Sequence, residues 1–97
     1  MELILQSDCI PELYSTEEIS DPVCQVKLFT PDSCWSWYII EIDTNKELCF
    51  GYVVGLESEL GYFTISELTT IRGALGLPIE RDSGFTPISL SKVKALH

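Results

Sequence analysis

From Val23 to Thr64 apolar and polar positions alternate with a period of two, and after Thr64 the period changes. Four stretches, Val23 to Phe29, Trp35 to Ile42, Leu48 to Val54 and Leu60 to Thr64, are rich in β-branched and aromatic residues, which suit a pleated surface. Thr30-Pro31-Asp32-Ser33, Asp43-Thr44-Asn45-Lys46 and Gly55-Leu56-Glu57-Ser58-Glu59 separate them; such links are short enough for hairpins. Consecutive strands on short links run antiparallel, so the pattern predicts an α+β domain based on a four-stranded antiparallel meander over about residues 23–64.

Strict alternation in the second strand puts Trp35, Trp37, Ile39 and Glu41 on one face and Ser36, Tyr38, Ile40 and Ile42 on the other. Large apolar groups on both sides mark a central strand covered at least in part on both faces. In the third strand Leu48, Phe50, Tyr52 and Val54 share a face opposite Cys49, Gly51, Val53 and Gly55. Two glycines on one side leave room for a close neighbour, such as a tryptophan or an overlying helix.

Helix signals begin at Thr64. As N-cap it has Glu67 three positions on for a capping box, with Phe63 and Leu68 at the positions of a hydrophobic staple. Leu68, Ile71 and Leu75 then recur at helical spacing, and Gly73 or Gly76 can end the element; a covering helix over about 65–73 is predicted. After the extended stretch from Leu77 to Pro87, the spacing of Leu90, Val93 and Leu96 with Lys92 and Lys94 near the end predicts a short C-terminal helix. Before Pro22, Leu3, Ile4, Leu5, Ile10, Leu13, Tyr14 and Ile19 recur irregularly, which predicts a short helix or turns laid on the sheet. No repeat, linker or low-complexity tract divides the 97 residues, so a single domain is expected.

Apolar residues make up 45% and charged residues 22% of the chain, the balance of a globule rather than a disordered segment. No apolar run approaches the ~18 residues needed to span a bilayer, and the N-terminus has acids where a signal peptide would carry lysines; a cytoplasmic location is expected. The four cysteines, Cys9, Cys24, Cys34 and Cys49, include no close pair to chelate zinc or cycle redox, and are expected to be small buried apolar residues. His97 is the single histidine, which argues against a histidine-based triad or metal site. No catalytic constellation, metal or cofactor is predicted.

Charge changes the picture more. The net charge is −9, and the first 22 residues hold six acids and no base, whereas residues 68 to 97 hold four bases against two acids. Six scattered bases cannot supply the clustered basic face that releases counterions from nucleic acid. Acidity first means solubility. Its sharper meaning is a field formed by carboxylates such as Glu12, Glu17, Glu18, Asp21, Glu57 and Glu59, attracting a basic partner or imitating nucleic acid.

At Trp35-Ser36-Trp37-Tyr38, Phe50-Gly51-Tyr52-Val53, Glu59 through Phe63 to Glu67-Leu68, and Ile79-Glu80-Arg81-Asp82 with Phe85, the chain resembles domain-of-unknown-function family 2958. Pro11-x-Leu13-Tyr14 and Val26-Lys27-Leu28-Phe29-x-Pro31 extend the likeness over nearly the whole chain. The motifs are specific in combination rather than singly. The resemblance implies a small protein encoded mostly in bacteria and on their plasmids, integrative elements and phages, and it supplies no catalytic residue or cofactor.

Two groups of residues stand out as candidates. Glu80-Arg81-Asp82 is the densest charge cluster; in an extended segment Arg81 faces away from the two acids and could reach Glu41, Asp43 or a ligand's acidic group. Trp35, Trp37, Tyr38, Tyr52, Tyr62 and Phe63 are first of all core. If only one helical layer covers the sheet, though, some aromatic surface stays open for interaction. The leading expectation is a non-enzymatic protein-interaction module using Trp35, Trp37, Tyr38, Glu41, Tyr62, Glu80, Arg81 and Asp82, and the mobile-element setting would suit an accessory or counter-defence inhibitor engaging a nucleic-acid-binding protein. The alternatives are a small-ligand binder or hydrolase with a pocket at Tyr38, Glu41, Arg81 and Asp82, and a weak nucleic-acid binder using Arg72, Arg81, Lys92 and Lys94.

Overall fold

A computed structural model describes residues 3–97. Its elements are β1 (Val23–Cys24), β2 (Val26–Phe29), β3 (Ser36–Ile42), β4 (Leu48–Val54), β5 (Ser58–Thr64), α1 (Ile65–Thr70), β6 (Glu80–Arg81), β7 (Ile88–Ser89) and α2 (Leu90–Ala95). The meander forms, but its sheet has five strands in the order β5-β4-β3-β2-β6, and β1 pairs with β7 in a second sheet of two. Every one of these ladders is antiparallel. The fifth strand is Glu80–Arg81, which adds to the free edge of β2 opposite Phe29 and Leu28; two residues are too few for periodicity to reveal. The stretch expected as one strand from Val23 to Phe29 divides at Gln25, whose N–H donates to the Ile39 carbonyl (2.8 Å). Residues 3–22, where a short helix or turns were possible, form turns.

A bulge in β3 decides what each face carries. Ile39 pairs with Gly51 but Glu41 pairs with Phe50, so Ile40 is the extra residue, and one extra residue reverses the facing of everything after it. Strict alternation is therefore overturned at the end of the strand: Ile42 joins Trp37 and Ile39 on one face, and Glu41 joins Tyr38 and Ile40 on the other. At the bulge a Cβ on Gly51 would run into the Tyr38 carbonyl, and one on Gly55 would run into the Trp35 ring. The two glycines thus admit a backbone and a tryptophan.

Both faces are covered. On one, Val26, Leu28, Trp37, Ile39, Ile42, Cys49 and Phe63 pack with Leu3, Ile79 and Leu68 of α1. On the other, Tyr38, Ile40, Tyr52 and Val54 pack with Cys24, Leu90 and Val93, the last two from α2. Full burial of a leucine or isoleucine contributes about 1.5–3 kcal/mol, and Leu28, Ile39, Ile40, Ile42 and Leu68 are all 1% exposed or less. Cys24 and Cys49 are buried, which pushes both thiols up to about 12, whereas Cys9 and Cys34 are exposed; burial thus holds for two of the four cysteines.

Thr64 caps α1 as its sequence signals require. Its Oγ1 accepts from the Glu67 N–H (3.1 Å) and donates to Glu67 Oε1 (3.0 Å), while Phe63 and Leu68 share one core. A second cap comes from Glu47, whose carboxylate accepts from the Ser66 N–H (2.6 Å) and Oγ (2.9 Å). The helix stops at Thr70, three residues short of the expected end. The Thr69 and Thr70 hydroxyls bond back to the Ser66 and Glu67 carbonyls (both 2.7 Å), and β-branched residues bonded this way weaken a helix. The chain then reverses at Gly76, in the left-handed region at φ +84, with Asp32 accepting the Leu75 and Leu77 N–H groups (2.7 and 3.1 Å). Leu75, expected on the covering face, is 81% exposed. In α2 Leu90 and Val93 are buried but Leu96 is 67% exposed, and Asp21 caps the helix start through the N–H and Oγ of Ser91 (2.8 and 2.7 Å).

Candidate functional site

The carboxylate that the bulge turns onto the α2 face, Glu41, is 2% exposed. A buried acid must be fully hydrogen-bonded to be tolerated, and here the loop before Pro22 supplies the donors. The N–H of Tyr14 donates to Oε1 (2.8 Å), the N–H of Thr16 donates to Oε2 (2.8 Å), and the Thr16 hydroxyl donates to the same oxygen. Burial opposes ionisation, but these hydrogen bonds from Thr16 and Tyr14 outweigh it and hold the Glu41 carboxyl below its ordinary value.

Anchoring the loop in this way has a conformational cost. Tyr14 adopts φ 67, the left-handed region that a bulky side chain avoids at about 1–2 kcal/mol. The residue is 58% exposed, and its ring lies 6.4 Å from that of Tyr62, which is 55% exposed and tilted against Phe50 at 5.0 Å. Beside these rings runs a groove of about 360 Å³ lined by Glu17, Glu41, Phe50, Leu60 and Tyr62, with Lys94 on its wall; the Lys94 ammonium sits 5.8 Å from the centre of the Tyr52 ring. The Tyr62 hydroxyl is held above its ordinary value by partial burial and then by Tyr14, Glu41 and Glu17, so the field of these acids reaches it. Glu12, Glu17, Glu18, Asp21, Glu57 and Glu59 are all exposed.

The other candidates fall into separate places. Trp37 is core, and Trp35, 38% exposed, stacks on it at 6.0 Å. With Ile71, Arg72 and Gly73 the two indoles line a depression of about 490 Å³. Tyr38 is 1% exposed, its hydroxyl hydrogen-bonded to His97 Nε2 (2.8 Å). Glu80 is half-buried opposite Phe29. Asp82 pairs with Lys27 (3.8 Å) and accepts from the Gly84 N–H (3.0 Å).

Arg81 makes a forked ion pair with Asp8 (2.5 and 2.7 Å) and donates to the Leu3 carbonyl (3.1 Å). Its partner is thus Asp8 rather than Glu41 or Asp43: Arg81 pairs with Leu28 and shares the α1 face, while the bulge sends Glu41 to the other side. For the same reason Tyr38, Glu41, Arg81 and Asp82 do not converge on one pocket. Nor do the four bases of the last third meet, since Arg72 and Arg81 belong to the α1 side and Lys92 and Lys94 to α2. The expectation that one helical layer leaves aromatics open is replaced: both faces are covered, and Tyr14, Tyr62 and Trp35 are open because they lie at margins of the sheet. Phe50 lines the groove and Tyr14 lies against Tyr62 at its margin, two residues that periodicity marks only as a strand position and as part of the family motif Pro11-x-Leu13-Tyr14. Among the described residues no three His, Cys, Asp or Glu side chains are grouped to hold a metal ion, and no helix is long and apolar enough to cross a membrane.

The fold and this surface define a small α+β domain on one five-stranded antiparallel sheet, with an acid-flanked aromatic groove beside its β5 edge. Over residues 5–94 the chain matches the model of the family described as Protein of unknown function (DUF2958), and it belongs to that family. No curated protein and no solved structure matches it.

Proposed function

We propose that this protein is a non-enzymatic interaction module that docks on a basic partner protein through the groove at Glu17, Phe50, Leu60 and Tyr62 and the Tyr14 ring that lies beside it. The observation that carries this reading is the strained Tyr14, held beside Tyr62 by a fully satisfied buried Glu41. Strain of this kind adds nothing to stability and accompanies recognition sites, and open tyrosines beside carboxylates suit lysine or arginine side chains through cation–π and charge attraction. A net charge of −9 strengthens the attraction at long range. On a plasmid, integrative element or phage, such a module would serve as an accessory or counter-defence inhibitor, its carboxylates taking the place of phosphates on a host nucleic-acid-binding protein.

The test compares immobilised wild type with Tyr62→Ser and Glu17→Lys in bacterial lysate at moderate salt. Retention of a basic protein by the wild type and its loss from both variants is the expected result. Retention that ignores both substitutions, or the absence of any basic protein, would overturn the reading.

A further inference from the structure

β5 stands at the end of the sheet order, paired with β4 along one edge over all seven of its residues. Two hydrogen bonds at the ends of that ladder set its phase: the Gly55 N–H donates to the Glu57 carbonyl (3.0 Å), and the Ile65 N–H donates to the Glu47 carbonyl (2.9 Å). Both pairs continue the register that places Leu48 opposite Thr64. Antiparallel partners exchange both hydrogen bonds at every second pair, so Glu59, Gly61 and Phe63 turn their N–H and C=O groups toward β4. Ser58, Leu60 and Tyr62 turn theirs outward, and among the described residues no strand pairs with that outer edge.

Natural sheets blunt such edges with proline, lysine, bulges or brevity. The opposite edge strand, β6, has two residues. β5 has seven, an unbroken register with β4, and neither proline nor lysine. At its middle a Cβ on Gly61 would meet nothing within 4 Å. Leu60 and Tyr62, the residues whose main chain faces outward, are 43% and 55% exposed and line the groove with their side chains. Edge and groove are therefore one continuous surface.

We propose that β5 accepts an extended basic segment of the partner as a sixth, antiparallel strand, hydrogen-bonded to the main chain of Leu60 and Tyr62. This mode of docking rests on the function proposed above and adds its geometry. Residues directly opposite each other in a ladder share a face, so the incoming residues facing Leu60 and Tyr62 project over the groove, where lysine or arginine meets Glu17 and the tyrosine rings. Charge selects this occupant over a second copy of the chain, which would bring another −9 to the same edge. Main-chain bonds give such a complex its affinity, and alternate side chains give its selectivity.

The probe is a blocked nonapeptide alternating lysine and valine, titrated into the full chain at low salt, with two further forms N-methylated at either the lysines or the valines. Slowed hydrogen exchange at the Leu60 and Tyr62 amides is expected. N-methylation of the lysines, which removes the donors aimed at β5, weakens binding by about tenfold or more, while N-methylation of the valines changes it by less than about threefold. Leu60→Pro, which removes an outward N–H that the ladder with β4 does not use, gives the same loss. Binding that leaves both amides unprotected and ignores N-methylation overturns strand addition; if Tyr62→Ser still abolishes it, the groove reading survives. No peptide binding at all also overturns strand addition, and the lysate comparison then decides the groove reading separately. Protection of the same amides without peptide, in a dimer that grows with protein concentration, assigns the edge to a second copy and overturns the proposal.

Discussion

The two faces of the sheet are built on different terms. The α1 face gathers Leu28, Ile39, Ile42, Phe63 and Leu68 into an apolar core, and its notable charges, Arg81 and Asp8, neutralise each other in a forked pair. The α2 face buries a carboxylate at Glu41, holds Tyr14 in a strained conformation and leaves two tyrosines beside a groove. Core packing and one ion pair account for the first arrangement outside the Trp35 depression. It does not account for the second, where apolar residues at the same positions would be simpler and more stable. The contrast separates what keeps this chain folded from what it offers to a partner.

Leu68→Ala strikes the α1 face and has the largest effect expected. Deleting a leucine that is 1% exposed costs about 2–5 kcal/mol, enough to threaten a domain of this size. Denaturant unfolding would measure it, and a loss under 1 kcal/mol would mean that α1 is not a cover.

Glu41→Gln is its counterpart on the α2 face. The amide keeps one acceptor oxygen but turns its NH2 toward either the Tyr14 N–H or the Thr16 donors, a loss of about 1.5–3 kcal/mol. The folded pKa of Glu41 lies below its ordinary 4.5, so the ionised carboxylate stabilises the fold fully above that value and ceases to do so as pH falls through the depressed one. The gap between wild type and E41Q therefore narrows on acidification below about pH 4.5. A gap constant from pH 7 to pH 3 would deny the carboxylate its anchoring role.

How much of this the sequence disclosed depends on range. Thr64, Glu67, Phe63 and Leu68 act within five residues of one another, and their capping and staple signals read directly as structure. The Trp35–Gly55 contact was legible as a need for space. The bulge at Ile40 was not, because a lone extra residue in Ile39-Ile40-Glu41-Ile42 leaves no mark on composition, and with it went the side on which Glu41 lies. The partners Asp8 for Arg81, Asp21 for Ser91 and Glu47 for Ser66 join residues far apart in the chain. Such pairings follow from the folded path, which periodicity does not describe.

Asp8→Asn tests the neutral charges of the α1 face. The pair is only partly buried, with side chains 19% and 9% exposed, so losing it costs about 1–2 kcal/mol. Burial of Asp8 resists ionisation, yet its bonds to Arg81 and Leu5 prevail and hold its pKa below the usual aspartate value. Its contribution therefore also fades in acid. Peptide or partner binding at the groove is expected to be unchanged, since the pair lies on the other face; a matching loss of binding would couple the two faces.

Tyr14→Gly makes the smallest change in stability and divides the two roles most cleanly. Glycine adopts φ 67 without strain, which returns up to about 1–2 kcal/mol, while the more flexible unfolded chain and the lost ring contact with Tyr62 offset most of it. The N–H that serves Glu41 remains. Stability should therefore stay within about 1 kcal/mol of wild type, while affinity for a basic peptide falls several-fold because the aromatic surface beside Tyr62 is gone. Equal loss of both would make the Tyr14 ring a structural prop. Unchanged affinity would move the docking surface away from the Tyr14–Tyr62 pair, toward the Trp35 depression at the other end of the sheet.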